Sequence, residues 1–459
     1  MNYDAIKAKL KDIGQEQVLR FEAELDAGGR NRLYAQLAAL DLDALPALVA
    51  EYVTQRPVVD LPVKIEPVEI YPRRPAADQE ALYAEARAAG DKLLAEGKVA
   101  AFLVAGGQGT RLGYDGPKGE FPVTPLKQKP LFQVFAEQLR QWGKVSGKIV
   151  PWYIMTSEVN DAATRAFFEK HDHFGYTKQD VFFFMQGMMP AFGLDGSILL
   201  ADKDSLALSP DGHGGSLRAL EKSGALADMK RRGVEHLSYF QVDNPIVHTL
   251  DPLFLGLHAV TGSEMSSKTI PKAGPKEKVG NFCIGDGNLM VIEYSDLPDT
   301  LAEKTNPDGG LTFNAGSIAI HAISVAFVER LNAGGRLQLP WHRADKRVPH
   351  VNEPIPAAVN AVKVEQFVFD AIPLAKNAIV YETARDEEFS PVKNATGTDS
   401  PDTSRQHQVK RNLRWLREAG VDVHGEPTVE VSPLYAATAE QLKAHNDLPK
   451  QVVGETYLG

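Results

Sequence analysis

The stretch Ala105 to Gly119, AGGQGTRLGYDGPKG, combines many glycines with two cations, Arg111 and Lys118. It directly follows the apolar segment KVAAFLV, which is typical of a buried strand. Glycines after a strand allow the backbone to approach a ligand closely, so that amide N–H groups can meet its oxygens. Because ligands bind beyond the carboxyl ends of parallel strands, this stretch predicts a binding loop for a polyanion such as a phosphate chain.

The glycine-rich stretch matches neither of two common phosphate-binding motifs. No GxxxxGK followed by Ser or Thr occurs in the sequence. Gly107, Gly109 and Gly113 give a loose dinucleotide fingerprint, but the following YDGPKGEFPVTP has too many prolines and glycines for the helix that this fingerprint requires. For the glycines alone, a surface turn is the alternative. The cations Arg111 and Lys118 in a proline-constrained loop favour the polyanion.

An acidic residue, Asp243, ends a second strand-like run, LSYFQV. Mg²⁺ is a hard cation that prefers carboxylate and phosphate oxygens, so an aspartate across from a phosphate loop suits this metal. The alternative is an aspartate that only forms a turn before Asn244 and Pro245. Taken with the glycine-rich stretch, Asp243 is predicted to bind Mg²⁺.

Composition and charge exclude several classes of protein. The chain has 459 residues and a net charge of −10, which argues against a broad surface for nucleic acid or for an anionic membrane. A single cysteine, Cys283, excludes an internal disulfide and a cysteine-rich metal site. The N-terminus lacks a signal-like apolar segment, and no stretch approaches the roughly 20 apolar residues that span a bilayer. These features predict a cytoplasmic protein, and none of them predicts a protein partner.

The predicted secondary structure changes along the chain. Residues 1–95 show the three- and four-residue apolar spacing of helices, as in DQEALYAEARAAGDKLLAEG. In residues 96–378, the runs AAFLV, IVPWYIM, VFFFM and LSYFQV alternate with helical stretches, which predicts parallel β-α-β units in an α/β, doubly wound sheet. FCIGDGNLMVIEY is predicted to add a hairpin. Residues 379–459, with a helix around VKRNLRWLREAG, are predicted to form a small C-terminal domain.

Eight segments resemble, in order, the eukaryotic-type UDP-sugar pyrophosphorylase family of nucleotidyltransferases. They are AGGQGTRLG…PKGEFPV, MQGMMPA, PDGHGGSLRAL, YFQVDNP, VIEYSD, FNAGSIA, EQFVFD and DEEFSPVKNA, and together they cover roughly residues 95–410. The last three are most similar to the UDP-N-acetylhexosamine (UDP-N-acetylglucosamine) branch. The resemblance implies a Rossmann-like, GT-A-like central domain with a mixed, mostly parallel sheet.

The resemblance implies that UTP and a sugar 1-phosphate give a UDP-sugar and pyrophosphate. The attacking sugar-phosphate oxygen is already ionised, so the reaction needs cations, backbone amides and a metal rather than a general base. By resemblance, Arg111 holds the leaving pyrophosphate and Lys118 holds the phosphates as they exchange. Lys393 lies in the otherwise acidic DEEFSPVKNA and is assigned to the α-phosphate at the transition state, with Mg²⁺ at Asp243.

The resemblance also implies residues for the nucleotide and for the sugar. The uracil contacts are predicted at Ala105, Gly106, Gly107, Gln186 and Gly212. A glutamine fits an imide edge because its amide both donates and accepts. The sugar contacts are predicted at His213, Gly280, Glu293, Asn314, Phe367 and Phe369. For Gly212 a tight turn at Asp211 is an alternative, and for the two phenylalanines the alternative is a plain core segment.

One position departs from the N-acetylhexosamine branch, which usually has Asn where this chain has His213 in PDGHGG. A histidine there is typical of the glucose and broad-specificity branches, and it lies near the sugar hydroxyls. The alternative enzyme is therefore a UTP–glucose-1-phosphate uridylyltransferase or a broad UDP-sugar pyrophosphorylase. An alternative of another class is a non-catalytic regulator that binds sugar nucleotides, but Arg111, Lys118, Asp243 and Lys393 are all retained.

Overall fold

The computed structural model describes residues 2–56, 61–335, 337 and 339–459. The chain divides into two units, each built from three separate segments. The smaller unit comprises Met1–Leu61, Gln186–Arg218 and Leu337–Asp370, and the larger unit comprises Pro62–Met185, Ala219–Arg336 and Ala371–Gly459. The domain boundaries near residues 95 and 378 stay a prediction.

Helices and strands alternate through the middle of the chain. The helices are α1 (Tyr3–Asp12), α2 (Ala27–Ala39), α3 (Leu45–Leu48), α4 (Glu80–Ala95), α5 (Leu131–Ser146), α6 (Asp161–Lys170), α7 (Gly215–Lys222), α8 (Ala225–Arg232), α9 (Pro252–Val260), α10 (Asp299–Ala302), α11 (Val325–Asn332), α12 (Arg385–Glu388), α13 (Pro401–Glu418) and α14 (Ala439–Lys443). Within the described ranges, no helix is both long and apolar enough to cross a bilayer.

Ten of the strands belong to one sheet of the larger unit. They are β1 (Ile65–Pro67), β2 (Val99–Val104), β3 (Trp152–Thr156), β4 (Val181–Met185), β5 (Met188–Pro190), β6 (Phe192–Gly193), β7 (Leu200–Asp202), β8 (Ser205–Leu206), β9 (Leu208–Pro210), β10 (His236–Gln241), β11 (Met265–Pro271), β12 (Asn281–Gly285), β13 (Asn288–Ile292), β14 (Ala315–Ser324), β15 (His342–Lys346), β16 (Ala361–Glu365), β17 (Ile379–Glu382), β18 (Asp422–Val423), β19 (Val429–Val431), β20 (Gln451–Val452) and β21 (Thr456–Leu458).

The central sheet of the larger unit has the order β1-β12-β14-β10-β2-β3-β4, with β11 paired to β14 and β17, and β13 paired to β12. Strand β2 runs parallel to β10 and β3, and β3 runs parallel to β4. Strand β14 pairs antiparallel with β10, which makes the sheet mixed. The predicted Rossmann-like α/β fold is therefore confirmed, with its parallel pairing concentrated in β10, β2, β3 and β4.

Strand β2 forms because an uninterrupted apolar run can be buried on both faces of a sheet. Val99, Ala101 and Leu103 are at most 2% exposed and share one apolar cluster with Phe132 and Phe135 of α5. The strand ends in register with its neighbours, since Val104 pairs with Gln241 of β10 and with Met155 of β3. The segments that follow β2, β3 and β10 therefore emerge at one edge of the sheet.

The predicted hairpin is confirmed as β12 and β13, which pair antiparallel around Asp286 and Gly287. Both turn residues have positive φ, 47° and 87°, as a two-residue type I′ turn requires. The hairpin places Gly280, just before β12, beside Glu293, just after β13, since Asn281 pairs with Ile292.

The smaller unit is built around a sheet of β15, β16 and β6. Helix α2 buries Leu33 and Leu37 against Phe192 of β6 and against Val362 and Val364 of β16. Alternating apolar residues of β16 therefore face the helices, and the register of β15 on β16 pairs His342 with Glu365.

Helices α4 and α9 approach each other through glycines, and this contact gives a stability prediction. A Cβ atom on Gly256 would lie 1.6 Å from the carbonyl oxygen of Ala86, and one on Gly90 would lie 1.7 Å from that of Pro252. Because the clash is with backbone, Gly256→Ala is expected to destabilise the protein by about 3 kcal/mol or more. Thermal melting checks this, with Gly454→Ala as a control because a Cβ there meets nothing within 4 Å. Equal melting temperatures for the two variants would contradict the close approach.

Candidate functional site

The glycine-rich loop begins at the carboxyl edge of β2, and its first carbonyl groups are already hydrogen-bonded. Ser157 Oγ donates to the Gly106 carbonyl at 2.9 Å, and Asn160 Nδ2 donates to the carbonyls of Ala105 at 2.9 Å and Gly107 at 3.3 Å. These two side chains follow β3, so the sheet register brings them to the loop. Because Ser157 and Asn160 bind these carbonyl oxygens, the peptides of Gly106 and Gly107 can present their N–H groups to a ligand.

The rest of the loop folds back on its own start. Gly109 N–H donates to the Gly116 carbonyl at 2.9 Å, and Lys118 N–H donates to the Gly107 carbonyl at 3.1 Å. The segment after β2 contains two short 3₁₀ turns, Thr110–Leu112 and Lys118–Glu120, and no long helix. This agrees with the prolines and glycines of that segment. The loop therefore returns Lys118 to the glycines next to β2.

Gly119 is a position where the local fold requires glycine. A Cβ atom on Gly119 would lie 2.1 Å from the ring of Phe132, which is fully buried at the start of α5. Gly119 thus packs directly on the core, and this contact fixes the main chain of the adjacent Lys118.

Lys118 lies close enough to three other predicted charges of the larger unit to be influenced by them. Burial lowers the pKa of the Lys118 ammonium, the carboxylate of Asp243 opposes this shift, and the cations of Arg111 and Lys393 add to it. Arg111 is exposed, whereas the other three side chains are partly buried. Lys118 and the three charges that act on it together carry an excess of two positive charges, which suits a polyanion.

Asp243 and Lys393 are joined through the backbone. The N–H of Val392, next to Lys393, donates to the Asp243 carbonyl at 2.7 Å, and the N–H of Lys393 donates to the Asp399 carbonyl at 2.7 Å. Residues almost 150 positions apart in sequence are therefore neighbours. The sequence motifs named both residues, and the structure brings them together at the edge where β10 ends.

A different group of side chains, His248, Asp251 and Glu388, has the spacing of a metal site, with possible ligand atoms within 4.8 Å of one another. Lys268 fills this position instead: its Nζ lies 2.6 Å from Asp251 Oδ2 and 2.7 Å and 2.6 Å from the two Glu388 oxygens. Burial lowers the pKa of Lys268, but the two carboxylates outweigh burial and raise it above the usual value. The group is therefore a buried ion-pair network that already contains its cation.

The predicted sugar residues of the larger unit lie around the β12–β13 hairpin and the start of β14. A Cβ on Gly280 would lie 2.6 Å from Val291 Cγ1, which is too close, and 3.4 Å from Glu293 Oε1, which is an ordinary contact. The Gly280 carbonyl accepts a hydrogen bond from Ser317 of β14 at 2.8 Å. Gly280 and Glu293 are thus direct neighbours.

Asn314, just before β14, is oriented by a lysine. Its Oδ1 accepts from the backbone N–H of Lys272 at 2.8 Å, which leaves the Nδ2 amide to donate elsewhere. Lys272 is itself buried and donates from Nζ to Asn281 Oδ1 at 2.6 Å. Asn314 also borders a cavity of about 240 Å³, which includes Phe282 and Phe313 in its lining.

The predicted residues of the smaller unit form an aromatic group around His213. The ring of His213 stacks on Phe367 at 5.3 Å between centroids and lies 5.9 Å from Phe369. Its Nδ1 accepts from the Val368 N–H at 3.0 Å. Burial, with a contribution from the nearby His342, lowers the pKa of His213 to about 4. The ring is therefore neutral at pH 7, with its proton on Nε2 as a hydrogen-bond donor.

The glycines around His213 let its loop lie directly on the end of β16. Gly212 has a φ of 86°, and a Cβ there would lie 2.4 Å from the Gln366 carbonyl oxygen. The Gly214 N–H donates to that same carbonyl at 2.8 Å. Gln186, predicted with Gly212 for the uracil, is buried in the same unit. The turn predicted at Gly212 is compatible with a binding role, because the turn places the loop that carries His213 against the end of β16.

Sequence reasoning missed the residues that support the predicted ones. His342, like His213, stacks on Phe367, at 4.3 Å between centroids, and its Nε2 lies 2.7 Å from Asp370 Oδ2. No motif contains His342, and the strand register of β15 on β16 alone brings it there. Asn160 and Lys268 were missed for the same reason, since their partners are distant in sequence.

Comparison with known proteins identifies the family of this chain. The family model described as UTP–glucose-1-phosphate uridylyltransferase matches residues 46–449. A mouse protein named UDP-N-acetylhexosamine pyrophosphorylase-like protein 1 is 38% identical over 451 residues, which cover 93% of this chain and 88% of the mouse protein. A Saccharomyces cerevisiae UDP-N-acetylglucosamine pyrophosphorylase is 39% identical over 367 residues, or 77% of each chain.

A solved structure gives the same answer. The crystal structure of the uridine diphosphate N-acetylglucosamine pyrophosphorylase from Trypanosoma brucei, in complex with an inhibitor, superposes with a TM-score of 0.82 at 25% identity. The match covers 99% of this chain and 98% of the trypanosomal one. The resemblance predicted from the sequence motifs is confirmed, and the chain belongs to the UTP–glucose-1-phosphate uridylyltransferase family of UDP-sugar pyrophosphorylases.

Proposed function

We propose that this protein transfers the uridylyl group of UTP to N-acetylglucosamine 1-phosphate, giving UDP-N-acetylglucosamine and pyrophosphate. A sugar-phosphate oxygen attacks the α-phosphorus of UTP, and the bond from that phosphorus to the oxygen bridging to the β-phosphate breaks. The observation that carries the proposal is the group of Lys118, Arg111, Lys393 and Asp243 beside the glycine-rich loop. Both substrates are anions, so the main obstacle is their repulsion and the charge that builds up at phosphorus.

Each charged residue has a place in this reaction. Arg111, exposed on its 3₁₀ turn, is assigned to the leaving pyrophosphate, and Lys118 to the phosphates as they exchange. Lys393 is assigned to the α-phosphate, where negative charge grows in the transition state. Because the nucleophile is ionised at neutral pH, none of these residues needs to act as a general base.

Asp243 is the residue that we assign to Mg²⁺. Mg²⁺ is commonly held by one or two carboxylates together with substrate phosphates rather than by a full cage of protein ligands. The Asp243 carboxylate, together with cations that attract phosphates, fits that donor set. When bound, the metal would neutralise phosphate charge and help to orient the reacting groups.

The remaining assignments follow the two units separately. In the larger unit, we assign the backbone of Ala105, Gly106 and Gly107 to the base, and Gly280, Glu293 and Asn314 to the sugar. In the smaller unit, we assign Gln186 and Gly212 to the uracil edge, and His213, Phe367 and Phe369 to the sugar. The Nε2–H of neutral His213 is suited to donate to a sugar hydroxyl, and the two phenyl rings are suited to an apolar group.

The sugar is tested by pyrophosphate release from UTP with a panel of sugar 1-phosphates. A site built for an acetamide loses apolar contacts and leaves a buried partner unpaired when it holds glucose 1-phosphate. We expect kcat/KM for N-acetylglucosamine 1-phosphate to exceed that for glucose 1-phosphate at least about tenfold, or roughly 1.4 kcal/mol. His213→Asn is expected to change the size of this preference and to keep its order.

A glucose-preferring enzyme is the second candidate, and His213 is the observation that favours it. If wild-type protein prefers glucose 1-phosphate and His213→Asn reverses that order, His213 sets the specificity and the assignment to the N-acetylhexosamine branch is wrong. Pyrophosphate release with both sugars at similar efficiency would instead indicate a broad-specificity enzyme.

A further inference from the structure

Asn244, directly after Asp243, binds the segment that carries Lys393. Its side chain is 5% exposed, and its Nδ2 donates to the Glu388 carbonyl at 2.6 Å. Its Oδ1 accepts from the Ser390 N–H at 3.1 Å. With the bond from Val392 N–H to the Asp243 carbonyl, three hydrogen bonds join the end of β10 to the residues just before Lys393.

Glu388 and Ser390, the two residues that Asn244 contacts, are also bound to other parts of the larger unit. The side chain of Glu388 is buried and paired with Lys268 in the ion-pair network. The carbonyl of Ser390 accepts from Ser404 Oγ of α13 at 3.2 Å. Asn244 therefore links Asp243 to a segment that is already fixed to the core. Lys393 follows three residues after Ser390 in this segment.

We infer that Asn244 is a positioning residue, which fixes the Lys393 ammonium relative to the Asp243 carboxylate and to the phosphates. The inference rests on the role of Lys393 in the proposed function. Fixed charges are effective because they need no reorganisation as the reaction proceeds, and a displacement of about 1 Å can cost roughly a hundredfold in rate. Asn244 itself touches backbone atoms of its own chain and needs no contact with substrate.

The geometry requires an amide at this position. Asparagine offers a donor and an acceptor at the end of one short side chain, which matches one carbonyl and one N–H. In Asn244→Asp, the acceptor for Ser390 is retained, but a carboxylate oxygen replaces the donor and faces the Glu388 carbonyl. That variant should therefore shift the segment with little change in side-chain volume.

Asn360 of the smaller unit provides a matched control. Its Oδ1 accepts from the Val348 N–H at 2.8 Å and its Nδ2 donates to the Val348 carbonyl at 3.0 Å. Asn360→Asp disturbs the same kind of bond in the unit that contains none of the residues assigned to the phosphates. It is expected to leave kcat unchanged.

The test is a double-mutant cycle in kcat for the reaction of UTP with N-acetylglucosamine 1-phosphate. We expect Asn244→Asp to lower kcat about tenfold or more in the wild-type background, with little change in the KM for UTP. In the Lys393→Ala background, the same substitution should have no further effect on kcat, because the group that it positions is gone. Should Asn244→Asp not fold, as judged by thermal melting, Asn244→Ser takes its place in the cycle.

The two possible failures are distinguishable. If Lys393→Ala alone keeps the wild-type kcat, the role of Lys393 in the proposed function is wrong and the inference falls with it. If Lys393→Ala loses activity, but Asn244→Asp either has no effect or loses the same factor in both backgrounds, the inference alone is overturned.

Discussion

Asp243→Asn is expected to remove most of the turnover, with kcat at least about a hundredfold lower, or about 2.7 kcal/mol. The amide keeps the shape of the side chain, and the backbone carbonyl that accepts from Val392 is unchanged, so the local fold should persist. The lost charge is the one assigned to Mg²⁺, and loss of a metal ligand costs several kcal/mol of charge stabilisation. Pyrophosphate release at saturating substrates, measured across a Mg²⁺ titration, checks this expectation.

Asp91→Asn is the control for removal of a carboxylate. Asp91 is exposed on α4 and pairs with Arg87 at 3.1 Å, an interaction worth little at a protein surface. Its variant should keep the wild-type kcat. If Asp243→Asn also keeps near wild-type kcat at saturating Mg²⁺, Asp243 is a turn residue and the metal assignment is wrong.

Lys393→Ala has the second largest expected effect, a loss of roughly a hundredfold or more in kcat, as for removal of one electrostatic stabiliser. The variant retains the backbone bond to Asp399, so the main chain stays in place while the side chain beyond Cβ, with its ammonium, is removed. A group that acts on charge developing in the transition state lowers kcat without weakening ground-state binding. Steady-state kinetics combined with direct binding of UDP-N-acetylglucosamine separates the two quantities.

Lys410 is an exposed lysine of α13. Lys410→Ala is the matched control for Lys393→Ala and should change neither kcat nor the binding of UDP-N-acetylglucosamine. If Lys393→Ala weakens UDP-sugar binding and leaves kcat as it was, Lys393 is a ground-state binding residue. That result would remove it from the transition state in the proposed mechanism.

Much of the fold could be predicted because it is encoded locally. The apolar runs of β2, β3, β4 and β10 are long enough to be recognised as buried strands, and the Asp286–Gly287 turn marks its hairpin. The antiparallel placement of β14 and the three-segment composition of each unit have no local signal. They depend on which distant surfaces bury one another, and periodicity within a segment does not contain that information.

The candidate site also has a part that could be predicted from the sequence and a part that could not. Lys118, Asp243 and Lys393 could be named from motifs because phosphate chemistry restricts the residue types that are useful. Their mutual placement depends on hydrogen bonds between residues that are far apart in the sequence, such as that from Val392 to Asp243. The residues that create this placement, Asn160 and Asn244 among them, are ordinary polar residues in the sequence and become recognisable only through their partners.

In the proposed reaction, a sugar-phosphate oxygen attacks the α-phosphorus of UTP. The most direct measurement uses N-acetylglucosamine 1-phosphate with isotopically labelled phosphate oxygens and follows both products by mass spectrometry. We predict equal amounts of UDP-N-acetylglucosamine and pyrophosphate, with every labelled oxygen in the UDP-sugar and none in the pyrophosphate. Labelled pyrophosphate would contradict attack at the α-phosphorus, and UDP-sugar binding without any turnover would show that the chain is a non-catalytic binder.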